Sequence, residues 1–144
     1  MSANSKVTLE MTVEQAAAIA HMLDLATRIH LCQFSEIEWL SRLGYIKHRL
    51  GHNLNQDDWG HIEVYADHMK SVFGFPPNAS FGIGSPHVSK DAHRGYEVKK
   101  VLEKALAEHR DPNPKGLRGV NYDGLVVRYT DDPVPVAVVV KQED

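Results

Sequence analysis

The chain has 144 residues, a formal net charge of −3, 42% hydrophobic and 24% charged residues, and one cysteine. That length suits one domain with its own core, and the composition is that of a globular protein, which disfavours a disordered or a membrane class. The mildly acidic balance gives no long-range attraction to duplex nucleic acid, and a lone Cys32 excludes an internal disulfide and a multi-cysteine metal cluster.

No apolar run is long enough to span a membrane and no basic-then-apolar leader is present, so a cytoplasmic protein without a membrane partner is expected. In residues 1–11, Val7, Leu9 and Met11 alternate with polar neighbours, which predicts a short half-buried strand or arm. Thr12-Val-Glu-Gln15 has the spacing at which a cap hydroxyl and a glutamine satisfy each other's backbone donors, so a helix is predicted from there to about Leu31. Apolar residues cover two of its faces and leave a narrow polar stripe, which places it centrally.

Ser35-Glu-Ile-Glu38 repeats the capping pattern. Trp39, Leu43, Ile46 and Leu50 follow at helical spacing, predicting a second helix closed by Gly51. A third helix opens between Asn55 and Asp58 and continues through Ile62, Tyr65, Met69 and Val72. In loop 74–89 the glycines Gly74, Gly82 and Gly84 and the prolines Pro76, Pro77 and Pro86 shape the backbone. Phe75, Phe81 and Ile83, with Phe73 just ahead, argue that it packs down rather than staying disordered.

A fourth helix follows Ser89, with Val98, Val101, Leu102, Ala105 and Leu106 on its apolar face and Lys99, Lys100, Glu103 and Glu108 on the wet one. After the turn-rich 111–116, Leu125 to Tyr129 and Val134 to Val140 read as two strands joined by Thr130-Asp-Asp-Pro133, a β-hairpin. The expected fold is therefore α+β and mainly α: about four helices plus a C-terminal hairpin in a single domain 1–144. Its parts are an arm or strand over 1–11, helices over 12–109 and the hairpin region 110–144. A hairpin alone is marginal, so it must pack on the helices, pair with the N-terminal strand, or pair with a second copy; a homo-oligomer is expected.

The nine histidines invite a metal reading. His61, Glu63, Asp67 and His68 share one predicted helix, but ligands at i and i+7 do not close a site alone; His48 and His52 have the tighter spacing, but Gly51 interrupts them. Scattered surface histidines are the simpler account. His87-Val-Ser89 is half of a paired His-x-Ser/Thr phosphoesterase arrangement whose second half is missing. His30 and Cys32 point to different faces, so a buried structural thiol is favoured over a nucleophile.

Two polar groups remain. In the first, Gly82, Gly84 and Ser85 precede a helix whose first turns carry His93, Arg94 and Tyr96, a plausible anion pocket in which Phe81 or Tyr96 could stack a base. The competing account puts the loop aromatics in the core and pairs Arg94 with Asp91 or Glu97. The glycine spacing matches neither phosphate-binding pattern. In the second group, Arg28, Gln33 and Glu36 meet where the first helix hands over to the next; a structural Arg28–Glu36 pair is the simpler account and a ligand-facing Arg28 the sharper one.

Residues 25–37 (Leu-Ala-Thr-Arg28-Ile-His-Leu-Cys-Gln33-Phe-Ser-Glu36-Ile), Ser80 to Pro86, Ala92 to Val98, Asn121-Tyr-Asp123 and Pro133-Val-Pro135 resemble a family of small uncharacterised tailed-phage and prophage proteins. Cys32 stands where that resemblance leads one to expect glycine. The resemblance implies a phage-encoded cytoplasmic accessory protein and no particular activity. Together with the two polar groups it leads to the expectation of a binding protein without cofactor or catalytic residues, whose ligand is an anionic, nucleotide-like small molecule such as a host anti-phage defence signal. Two alternatives stand beside it: a metal-dependent hydrolase built on His61, Glu63 and His68, and a protein that inhibits a host factor through its hairpin edge or aromatic loop.

Overall fold

A computed structural model describes residues 5–143, the side chains of Val120 and Asn121 excepted. Four helices carry the fold: α1 (Val13–His30), α2 (Glu36–Arg42), α3 (Gln56–Val72) and α4 (Lys90–Arg110). A single turn, α5 (Val120–Asp123), follows them. Among the described residues there is no strand, so the architecture is all-α. No helix of the described residues is long and apolar enough to cross a membrane.

The capping signals act as the sequence predicts. Thr12 Oγ1 accepts from Gln15 N at 3.1 Å while Gln15 Oε1 accepts from Thr12 N at 2.9 Å. Asn55 and Asp58 close an equivalent box at the start of α3, and Ser89 Oγ accepts from Ala92 N at 3.1 Å to start α4. Ser35 differs. It has helical backbone angles and no side-chain cap bond, and α2 ends at Arg42 rather than near Leu50. The stop is Gly44 at φ +76°, not Gly51. Leu43 and Leu50 are left more than half exposed, so the apolar spacing beyond Arg42 does not mark a buried stripe.

α1 packs along α4, α2 on α3, and α1 also touches α2. Two apolar clusters form at the C-terminal end of α1: Leu31 with Val88 and Ala92, and Cys32 with Phe34 and Ala66. The loop of residues 74–89 closes over both. Its Phe81 packs against each cluster, Phe75 against the second and Ile83 against the first, and the rings of Phe75 and Phe81 meet edge to face at 4.8 Å. Buried Lys70 ties the loop down, its Nζ donating to Pro77 O and Ala79 O at 2.8 Å each.

Cys32 sits at φ +63°, the left-handed region that favours glycine. That is the position where glycine was expected. Relief of the backbone strain on Cys32→Gly, about 1 kcal/mol, offsets most of the lost burial of a small thiol. The substitution is therefore expected to change stability by no more than about 1 kcal/mol in denaturant titration, whereas β-branched Cys32→Val is expected to cost about 2 kcal/mol or more. A stable valine variant would refute the strain account.

The expected N-terminal strand is absent over residues 5–11, which run without regular structure; residues 1–4 of that arm lie outside the description. The expected hairpin is also absent, residue 144 of its region lying outside the description. Residues 126 and 134–137 do lie on α4, beside Val101 and Ala105. No ladder closes between the two arms for a physical reason. Pro133 and Pro135 have no N–H to give, and the N–H groups of Tyr129 and Thr130 are taken by Glu97 of α4 at 2.6 and 2.8 Å.

Candidate functional site

α4 is rotated relative to the sequence reading. Lys99, expected on the wet face, is 7% exposed and faces α1, and Glu97, expected as a surface carboxylate, is 3% exposed. Both turn inward because each finds charge-assisted partners there, the condition for burying an ionised group.

On the α1 side, Asp24 is the hub. Its Oδ2 accepts from Arg28 Nε at 2.9 Å and its Oδ1 from Lys99 Nζ at 2.7 Å. Burial works against the charge of Asp24, but the bonds from Lys99 and Arg28 outweigh it and hold the carboxyl below the ordinary range. Arg28 also donates from Nη1 to Gln33 Oε1 at 3.1 Å, with Glu36 Oε1 more distant at 3.4 Å. Arg28, Gln33 and Glu36 thus come together as predicted, but the principal partner of Arg28 is Asp24. The i, i+4 spacing of Asp24 and Arg28 was the signal for it.

Tyr96 lies next along α4. The Lys99 ammonium stands 5.2 Å and that of Lys100 5.5 Å from its ring centre. Burial raises the Tyr96 phenol above its usual pKa, so it is a neutral ring at physiological pH.

On the other side of Tyr96, the turn 129–132 of the C-terminal segment is clasped onto α4. Glu97 Oε1 accepts from the N–H of Tyr129 and Thr130, and Oε2 accepts from Thr130 Oγ1 at 2.8 Å. Arg94 Nε donates to Asp132 Oδ2 at 2.6 Å and Nη1 reaches Asp91 at 3.3 Å. The Tyr129 ring stacks on His93 at 5.5 Å and meets Tyr96 edge-on at 5.7 Å. Arg128 holds the turn from within, bonding Asp132 O.

His93 Nε2 in turn lies 2.6 Å from Ile83 O, which ties the loop of residues 74–89 to α4. Gly84 lies under Tyr129, where a Cβ would stand 3.3 Å from Cε1, so that glycine permits a close approach. Ser85 Oγ accepts from His87 N at 3.2 Å within the loop, and Gly82 is exposed. Phe81 belongs to the core clusters rather than to this surface.

The two predicted groups are therefore linked through residues not singled out from sequence. The line runs from Glu36 and Gln33 through Arg28, Asp24, Lys99 and Tyr96 to Tyr129 and His93. Beside it, between α1 and α4, is an open groove of about 240 Å³ lined by Ala17, Ala20, His21, Asp24, Glu103, Leu106, Arg110 and Tyr122.

His61, Glu63 and His68, the residues of the metal-dependent alternative, are exposed on α3. Among the described residues no group of three histidine, cysteine or carboxylate side chains is placed to hold an ion. His48 and His52, in the connection between α2 and α3, stack ring on ring at 4.4 Å.

Comparison of the chain with protein-family models, with curated proteins and with solved structures gives no match.

Proposed function

We propose that the chain is a phage-encoded, non-enzymatic binding protein for an anionic, nucleotide-like small molecule, a host anti-phage defence signal being the ligand of most direct use to a phage. One observation carries the reading. The protein's own turn puts an aromatic ring on His93 and a carboxylate on Arg94, the pair of contacts that a base and a phosphate make.

Tyr129 and Asp132 thus act as an internal stand-in for the ligand on a surface made by the loop of residues 74–89 and the first turns of α4. A ligand with two or more negative charges competes with a single carboxylate for Arg94 and displaces the turn. Beyond Tyr96, Arg28 keeps 42% of its side chain exposed and is the second cation within reach of an extended ligand.

Thermal shift across a panel of mono-, di- and cyclic nucleotides tests this. Arg94→Ala is expected to weaken binding by roughly 10- to 100-fold, the loss of a charge-assisted contact. Asp132→Asn is expected to strengthen it, because Arg94 is released from its internal partner. No shift with any nucleotide, or equal shifts in the parent and Arg94→Ala chains, would overturn the reading.

A further inference from the structure

We infer that residues Val136 to Val140 are an interchain strand, which pairs antiparallel with the same residues of a second copy of this chain across a twofold axis.

The segment alternates strictly in exposure. Pro135, Ala137 and Val139 are half-buried toward the molecule, while Val136, Val138 and Val140 are 74–86% exposed. That is the pattern of a strand with one face packed, and the residue types have the highest strand preference. Yet among the described residues no backbone–backbone hydrogen bond involves residues 124–143. An exposed, valine-rich edge with free N–H and C=O groups is normally blunted by charge or proline. Here Pro133 and Pro135 blunt only the upstream end, and Pro133 to Val140 carries no charge, so two copies meet without like-charge repulsion.

The molecule has surface to spare for a partner. The chain exposes 10848 Å², whereas a compact monomer of its 16.1 kDa exposes about 7,400 Å². The excess of roughly 3,400 Å² is several times the ~800 Å² that each partner gives to a standard interface. The buried core is correspondingly thin, its large members being Leu31, Phe34, Leu40 and Val88. A lone two-stranded ribbon would be marginal, but each strand here already borders α4, where Val134 to Ala137 line a groove with Val101 and Ala105. The upstream end is fixed by the clasp of Glu97 on Tyr129 and Thr130, so the edge is presented in a set direction.

Sedimentation of the full chain over a range of micromolar concentrations tests this, with circular dichroism as the check on folding. The parent chain is expected at twice 16.1 kDa or a multiple of that. Val138→Pro removes a ladder donor that makes no bond within the chain, so it is expected to give monomers with unchanged helix content. As a second measurement, Val138→Cys is expected to form an interchain disulfide on mild oxidation, since the central residue faces itself across the axis, while buried Cys32 stays reduced. A monomeric parent chain, an assembly that survives Val138→Pro, or a Val138→Cys chain that does not cross-link each overturns the proposal; a surviving assembly would assign the interface to the helical faces instead.

Discussion

Glu97→Ala is expected to release the turn 129–132 from α4 and to lower stability by about 2–4 kcal/mol. One buried carboxylate accepts from Tyr129 N, Thr130 N and Thr130 Oγ1 at 2.6, 2.8 and 2.8 Å. Each bond to a charged group contributes about 1.5–3 kcal/mol, but the freed donors recover part of that in water once the turn lifts away. Hydrogen exchange should report it locally: the amides of Tyr129 and Thr130 lose protection while those of α1 and α4 keep theirs. Unchanged protection at those two amides would refute the clasp.

The same contact fixes a pH dependence. Burial raises the pKa of Glu97, but the Tyr129 and Thr130 donors, with Arg128 nearby, more than offset it and hold the group below its ordinary value of 4.5. A carboxyl lowered on folding contributes stability that is complete above its unfolded value and is lost as pH falls through the folded one. The turn should therefore hold at neutral pH and come away only below about pH 4.5. Asp132, lowered by Arg94, acts with the same sign. Glu97→Gln removes the Glu97 part of this titration, leaving that of Asp132. An acid transition identical in the two chains would disprove the assignment.

Asp24→Ala is the second large effect, expected to cost about 2–3 kcal/mol. It removes the partner of Lys99, whose side chain is only 9% exposed and whose other carboxylate, Glu103, stands at 4.0 Å. Breaking a buried pair costs about 3–5 kcal/mol because the remaining charge stays buried; the lower figure here reflects the 29% exposure of Asp24. Arg28 suffers less, since Gln33 and Glu36 remain. The diagnostic is a double-mutant cycle with Lys99→Met in urea. If the pair holds α1 to α4, the double variant is more stable than the sum of the single losses predicts, by at least about 1 kcal/mol. Strict additivity would show the contact to be incidental.

What the sequence made legible follows from locality. The starts of α1, α3 and α4 were readable because a cap is settled within four residues: Thr12 with Gln15, Asn55 with Asp58, and Ser89 with Ala92. Gln33, Glu36 and Arg28 were visible as a group because the α1–α2 corner brings them together over a short stretch. Lys99, Glu97 and Tyr129 were not, since each is defined by a partner dozens of residues away, and Asp24, though four residues from Arg28, becomes the hub only through distant Lys99. Lys99 looked wet by helical periodicity alone, and only the way α4 rolls against α1 turns it inward.

The C-terminal segment marks the boundary most sharply. By itself the sequence determined that residues 135–140 are two-faced, because the alternation of side chains acts locally, while the strand it suggested is not formed. Whether that alternation became a hairpin depended on where the backbone donors went. The tertiary structure decided this, giving those of Tyr129 and Thr130 to Glu97 and leaving Val136 to Val140 without a partner strand among the described residues. Backbone hydrogen bonds are satisfied by whichever acceptor is nearest in space, and proximity between distant segments is a property of the packed chain rather than of any stretch of its sequence.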